Sequence, residues 1–305
     1  MNKKSIIIGS RESQLALVQT EYIICQLRKL LPQYSFEVKT IKTKGDKILS
    51  QGLSAIGDKG LFTKELEIAI QNDEIDFAVH SFKDLPTILP HDLTIAAISK
   101  REIASDVLIA KCKFNDLPSG SIIGTSSLRR RSQLIKLRSD LNYKDIRGNL
   151  NTRLSKLDNG QYDAIILAYA GIKRLGFENR IVETFDIDSI IPAAGQGALA
   201  VECKKSNEGI ISLLKNIDDK ETRATTLAER TFLSELQGGC QVPIGAIGYL
   251  KDNLINLTGF VSDLDANKFL KDKVISNSPV DAGIKLANKL KAAGADQILL
   301  ELTKK

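Results

Sequence analysis

Short apolar runs alternate along the chain with stretches in which apolar residues recur every three or four positions. Residues 4–8, 34–41, 75–79 and 93–98 read as strands by their apolar and β-branched content. Between the first two, Ser10 or Ser13 is placed to cap a helix with Leu15, Val18, Tyr22, Cys25 and Leu30 facing inward. Residues 61–71 predict a second helix. Residues 44–60 carry glycines at 45, 52, 57 and 60 and no clear period, which predicts a long loop, either a lid or a surface insertion. Further on, strands at 106–110, 121–124, 143–146 and 164–167 alternate with helices at 128–138, 150–157 and 168–175. Strand and helix in turn, with short links, predict a parallel sheet covered on both faces. A hinge-like passage at 190–198 precedes a strand at 198–201 that is expected to return to the first domain. The chain then predicts a helix at 221–236, strands at 246–249, 254–261 and 269–275, a helix at 280–293 and a last strand at 297–301.

These elements divide a chain of 305 residues, long for one core, into three α/β domains. The expected bounds are 1–98 plus 196–216, 99–195, and 217–305. Composition is that of a soluble globular protein, with 43% hydrophobic and 26% charged residues. The apolar run near the N-terminus is too short for a signal peptide, and no stretch approaches the ~20 apolar residues of a membrane span, so a cytoplasmic protein without a membrane partner is expected. Cysteines at 25, 112, 203 and 240 form no Cys-x-x-Cys pair, and the two histidines show no zinc-site spacing, so neither disulfides nor a bound metal is expected.

Charge changes the picture more. Between Gly120 and Arg180 there are 12 Lys and Arg against 5 Asp and Glu, while the rest of the chain has 31 against 32. The whole basic excess therefore falls in one segment, which points to an anionic partner there. Nucleic acid fits poorly: aromatics are 5% with no Trp, and no helix-turn-helix or RNA-binding pattern is present.

Three polar clusters fall at strand-to-helix junctions: Arg11 with Ser13; Ser81 with Lys83 and Asp84; and Thr125 to Arg130 with Arg147, Asn149 and Arg153. Arginines with Ser and Thr at helix N-termini can grip several carboxylates, through guanidinium forks completed by hydroxyls and backbone N–H groups. A solvated basic face is the alternative, but Arg129 and Arg130 open a helix, where cations oppose the macrodipole unless an anion compensates. Asp84, among cations, suits proton transfer to a leaving group or stabilisation of a transient cation; a helix cap or ion-pair partner is the alternative. His80, Ser81 and Asp84 lie too close in sequence for a hydrolase triad. Cys240 follows two glycines and precedes Pro243, which suits a thiol presented on a turn; a small buried hydrophobe is the alternative.

Several of these residues belong to longer motifs. His-Ser-Phe-Lys-Asp-Leu-Pro at 80–86, Gly-Thr-Ser-Ser-Leu-Arg-Arg at 124–130, Arg-Gly-Asn-Leu-Asn-Thr-Arg at 147–153, the stretch 157–168, Pro-Ala-Ala-Gly-Gln-Gly-Ala at 192–198 and Gly-Gly-Cys-Gln-Val-Pro-Ile-Gly at 238–245 resemble, in order, the porphobilinogen deaminase (hydroxymethylbilane synthase) family. The resemblance implies three α/β domains, the first two like type II periplasmic binding proteins with a central cleft and the third small. It implies a dipyrromethane cofactor joined by a thioether to Cys240, on which four porphobilinogen molecules are condensed with loss of ammonia into a linear tetrapyrrole. Asp84 would be the catalytic carboxylate. Arg11, Ser13, Ser81, Lys83, Asp84, Thr125, Ser127, Arg129, Arg130, Arg147, Gly148 and Asn149 would hold the cofactor. Arg11, Lys59, Arg147, Arg153, Arg174 and Gln196 would hold substrate. The partners expected are porphobilinogen and the growing pyrrole chain, on a monomer. One departure is Ala55, where bacterial relatives often carry a lysine. The rival expectation is a non-catalytic anion-binding protein of the same cleft fold, which would leave Asp84 and the cysteine turn without a role.

Overall fold

The computed structural model describes residues 4–47, 60–237 and 242–303, and it forms two compact units. One holds the described residues through Glu102 together with Gly197–Arg223; the other holds Ile103–Gln196 and the residues from Ala224 onward.

In the first unit the chain runs through β1 (Lys4–Arg11), α1 (Gln14–Leu30), β2 (Tyr34–Ile41), the single turn α2 (Lys44–Lys47), α3 (Lys64–Gln71), β3 (Phe77–Ser81), a 3-10 turn at Phe82–Asp84 and β4 (Leu93–Ile98). The second unit begins with β5 (Asp106–Ala110), β6 (Ile122–Gly124), α4 (Leu128–Leu137), β7 (Asn142–Lys144), α5 (Leu150–Asp158), β8 (Ala164–Ala168), α6 (Tyr169–Arg174) and β9 (Glu183–Thr184). The chain returns to the first unit as β10 (Leu199–Lys204) and α7 (Glu208–Leu214). It leaves along α8 (Lys220–Glu235) for β11 (Ile244–Lys251), β12 (Leu254–Ser262), β13 (Phe269–Ser276), α9 (Pro279–Ala292) and α10 (Ala295–Thr303).

Two five-stranded sheets share one plan. Their orders are β2-β1-β3-β10-β4 and β7-β6-β8-β5-β9. In each, three strands pair in parallel and the fourth position is filled by an antiparallel strand, β10 or β5, by which the chain enters the unit. The sheets are therefore mixed, not parallel throughout as the strand–helix alternation predicts. The βα links do build parallel pairs, but the entering strand comes from the other unit, so no crossover within its own sheet fixes its direction. β10 pairs with β3 and β4, as expected of a strand returning to the first domain. The third sheet, β11-β12-β13, is an antiparallel meander covered by α9, with Phe232 of α8 and Leu286 of α9 fully buried in its core.

Several helix and strand readings are corrected. α1 buries Ala16, Gln19, Thr20, Ile23, Ile24 and Leu27, whereas Tyr22, Cys25 and Leu30 of the expected face are exposed and Leu15 and Val18 only half-buried. Both stripes have helical spacing; the Ile23, Ile24 and Leu27 stripe packs on Phe77 and Val201 of the sheet and so wins. Ser10 lies in β1, leaving Ser13 as the cap, its hydroxyl accepting from the Ala16 N–H at 3.3 Å. α3 starts at Lys64, after a turn at 61–63. The segment 297–301 is part of a helix, not a strand. Ala295, Ile298, Leu299 and Leu302 recur at helical spacing and all pack on the third core, an amphipathic stripe that the short apolar run Ile298–Leu300 conceals. Of the loop expected at 44–60, residues 48–59 lie outside the described residues.

Candidate active site

In the first unit the polar residues gather at the C-terminal ends of neighbouring strands. β1 and β3 pair in parallel, Gly9 beside Ala78, so Arg11 and Ser13 leave the sheet at the same edge as Ser81, Lys83 and Asp84. Gln19 of α1 ties the two clusters together, its side-chain amide donating to the Ser81 hydroxyl at 2.9 Å. The Arg11 guanidinium lies 4.3 Å from the centre of the Phe62 ring, a cation–π contact that holds its flexible stem. Asp84 ends the 3-10 turn and is half-buried. The turn is fixed at both ends: the Phe82 N–H donates to the Ala198 carbonyl at 3.0 Å, and Leu85 N–H to the Phe82 carbonyl at 3.2 Å. Pro86 then bars further helix, since the residue before a proline disfavours the helical region. His80 is buried and faces Glu202, on the opposite side of the strand from Ser81, so no hydrolase triad forms.

In the second unit the C-terminal ends of β6, β7 and β8 lie together, because β6 pairs in parallel with both others. Ser127 caps α4, accepting from the Arg130 N–H at 3.4 Å, and Thr125 is buried with its hydroxyl accepting from the Ser127 N–H at 3.3 Å. The Ser126 hydroxyl bridges to the next loop, donating to the Ile146 carbonyl at 2.8 Å and accepting from the Ile146 N–H at 3.0 Å. That loop holds Arg147, Gly148 and Asn149. Gly148 has φ +107°, and a Cβ there would stand 2.6 Å from the Thr152 side chain, so only glycine fits without strain. Asn149 caps α5, accepting from Thr152 N–H at 3.0 Å, and Arg153 Nε donates to the Gly148 carbonyl at 2.9 Å. Arg174 stands at the far end of the six-residue α6.

Arg129 and Arg130 are not on a solvated face. Both are 6% exposed and both meet Asp106, which is fully buried at the start of β5. Arg129 approaches one carboxylate oxygen at 2.8 Å, and Arg130 donates to the other through Nε at 3.0 Å and a terminal nitrogen at 2.7 Å. Gln196 is 1% exposed and also donates to Asp106, at 2.9 Å. Burial pushes the Asp106 carboxyl up, but the charges of Arg129 and Arg130 and the bonds from Arg130 and Gln196 outweigh it and hold it well below the usual carboxylate range. The anion that two arginines at a helix N-terminus require is thus supplied by the protein itself. Sequence reasoning missed Asp106 because it reads as the edge of an apolar strand; a lone carboxylate entering Val-Leu-Ile-Ala was the available signal. It missed Gln19 for lack of any motif.

Two family models match the chain in sequence order. That for "Porphobilinogen deaminase, dipyromethane cofactor binding domain" covers residues 6–212, and that for "Porphobilinogen deaminase, C-terminal domain" covers 224–292. The chain belongs to the porphobilinogen deaminase family. Porphobilinogen deaminases from Desulforamulus reducens and a Nostoc species are 50% and 51% identical over 304 residues each, covering 98% and 97% of this chain and 98% and 94% of theirs. That of Synechococcus elongatus is 49% identical over 306 residues, 98% of this chain and 96% of its own. The methionine-binding protein MetQ aligns at a TM-score of 0.46 and 11% identity, over 73% of this chain and 93% of that one. The two five-stranded sheets with one antiparallel strand each lie, from Ile6 onward, within the span of the first porphobilinogen deaminase model, and the small sheet β11-β12-β13 with α9 lies within that of the second.

The dipyrromethane of porphobilinogen deaminases carries acidic side chains, and the donor set fits it. Each unit by itself presents cations and hydroxyls at its strand edge, and in the first unit Asp84 is a half-buried carboxylate among them. Of the cysteines, Cys203 is fully buried in β10 and its thiol is pushed up to about 12 by burial and by the charge of Glu202, which makes it a poor nucleophile. Cys25 is exposed on α1, its thiol donating to a Glu21 carboxylate at 3.4 Å, and Cys112 is half-buried. Cys240, Lys59 and Ala55 lie outside the described residues. Among the described residues no group of three or more His, Cys, Asp or Glu side chains is arranged to hold a metal ion, and no helix is long and apolar enough to cross a membrane.

Proposed function

We infer that the protein is a hydroxymethylbilane synthase: it condenses four porphobilinogen molecules head to tail, with release of ammonia, on a dipyrromethane primer, in tetrapyrrole biosynthesis. The observation that carries this reading is the ordered match of both porphobilinogen deaminase models across the chain, with relatives about half identical over nearly their whole length. The dipyrromethane, when bound, supplies the free pyrrole α-carbon to which the first substrate unit is joined.

The chain's own residues carry the rest. Asp84 hands a proton to the aminomethyl nitrogen of porphobilinogen, so that the C–N bond breaks and ammonia leaves. Its carboxylate then offsets the positive charge left on the substrate's methylene pyrrole and takes up the α-proton lost when the new C–C bond forms. Arg11, Ser13, Ser81 and Lys83 of the first unit, and Thr125, Ser127, Arg147, Gly148, Asn149 and Arg153 of the second, hold acetate and propionate arms. Lys59, Arg174 and Gln196 complete the substrate set. Arg129 and Arg130, gathered on Asp106, would hold cofactor carboxylates from that position. Cys240 anchors the primer by a thioether; burial disfavours Cys203 in that role. Working on a small polyanionic substrate, the protein needs neither nucleic acid nor a membrane, and we place it in the cytoplasm as a monomer. A non-catalytic anion-binding role would leave Asp84 unused.

The test is the intact mass of the purified protein, which is expected to exceed the sequence mass by two pyrrole units. Cys240→Ser is expected to lose that excess together with activity. An active protein of unmodified mass would overturn the covalent primer.

A further inference from the structure

Behind the turn that carries Asp84 lies a buried polar group with no part in the chemistry above. His80 of β3 and Glu202 of β10 are 4% and 0% exposed, and His80 Nε2 stands 3.0 Å from Glu202 Oε2. Neither His80 Nε2 nor either carboxylate oxygen of Glu202 has a well-aligned hydrogen-bond partner among the described residues, so the two groups meet by close approach alone. A carboxyl group sealed from water without a partner is costly, and the imidazole 3.0 Å away is the group placed to satisfy it. The backbone is shaped for the meeting. Ala200 of β10 stands opposite His80, so Glu202 is its diagonal neighbour on one face of the sheet. On its other side β10 changes register against β4 between Val201 and Glu202, an irregularity of the kind that re-aims a side chain.

A third group closes the cluster. Glu67 of α3 is 8% exposed, and the Thr63 hydroxyl donates to it at 2.7 Å. Burial pushes its carboxyl up, Thr63, His80 and Lys64 draw it down, Glu202 adds to the rise, and the net direction is upward.

We propose that His80 is a positioning residue for Asp84: its Nε2–H, held by the buried Glu202 carboxylate, locks the end of β3 onto β10 and so fixes the turn that presents Asp84. Three residues of chain separate the two, Ser81 and the turn whose Phe82 N–H is bonded to Ala198 just ahead of β10. The pair therefore pins side chains where the backbone bonds pin the main chain. The proposal rests on Asp84 acting as described above.

Two measurements test it. The sequence has only two histidines, and His91 is exposed, so nitrogen-15 long-range correlation spectra of the intact cofactor-loaded protein resolve His80 directly. The expected signature is a proton on Nε2 that exchanges slowly with water; a proton on Nδ1 with bare Nε2 would overturn the proposal, whatever the activity. In kinetics, His80→Leu is expected to lower kcat by about tenfold or more, the worth of one hydrogen bond to a charged group, with KM nearly unchanged. His80→Gln, whose amide reaches the Nε2 position, is expected to recover most of that loss. A fully active Leu variant, or a Gln variant no better than Leu, would show that the site is packing alone. Failure of the reaction reading itself would appear instead in the parent protein, as absent turnover and absent primer mass.

Discussion

Asp106 is the residue on which the basic part of the chain depends. Two guanidinium groups and one amide converge on it out of water, so removing its charge leaves two cations buried without their partner. Asp106→Asn is expected to cost about 3–5 kcal/mol in urea unfolding at pH 7. Because the folded protein holds this carboxyl below its ordinary value, its contribution is complete above about pH 4 and is lost as pH falls from there through the lower folded value. The gap in stability between parent and variant should therefore narrow in acid; a gap that stays constant from pH 7 to pH 3 would contradict the pairing. Asp84 makes the opposite prediction, since it is half-buried in a turn that backbone bonds hold at both ends. Asp84→Asn is expected to leave the unfolding midpoint nearly unchanged and to reduce turnover by at least a hundredfold, the scale of a lost general acid; near-normal turnover would remove it from the chemistry. At this scale the sequence was legible where a residue type conflicted with its position. Two arginines opening a helix demanded an anion, and one was there, but its identity depended on a strand pairing that no local pattern reveals.

Elements were easier to find than to orient. β2, β4 and β5 have the bounds that their apolar runs predict, and the capping serines and asparagine start α1, α4 and α5 where expected. The face of α1 was misread because a 17-residue helix with apolar residues on two stripes leaves the choice to the sheet beneath it. α10 was misread as a strand because Ile298, Leu299 and Leu300 form a run too short to show its period. The two readings separate cleanly by mutation. In a strand, residues 298 and 300 would share a face; in the helix Ile298 is buried and Leu300 is 59% exposed. Ile298→Ala is expected to cost about 2–5 kcal/mol and Leu300→Ala no more than about 0.5 kcal/mol, measured by denaturant unfolding. Equal costs would argue for the strand.

For the molecule as a whole, the doubled sheet plan and the third small sheet follow from the alternation of elements, and the return of the chain to its first unit was legible in the hinge-like passage before β10. What the alternation could not show was that the returning strand runs antiparallel and sits in the interior of its sheet, between β3 and β4. That position has a consequence for synthesis. β3 and β4 do not pair with each other, so until β10 is made the first sheet has a gap where its fourth strand belongs. The second sheet draws all five strands, and both cores beneath them, from one continuous stretch that ends before β10 begins. On a ribosome adding about 5–20 residues per second, the later sheet can therefore close before the earlier one. The newborn N-terminal strands must wait, with Asp84 and its turn unsupported, for a partner encoded well over a hundred codons downstream.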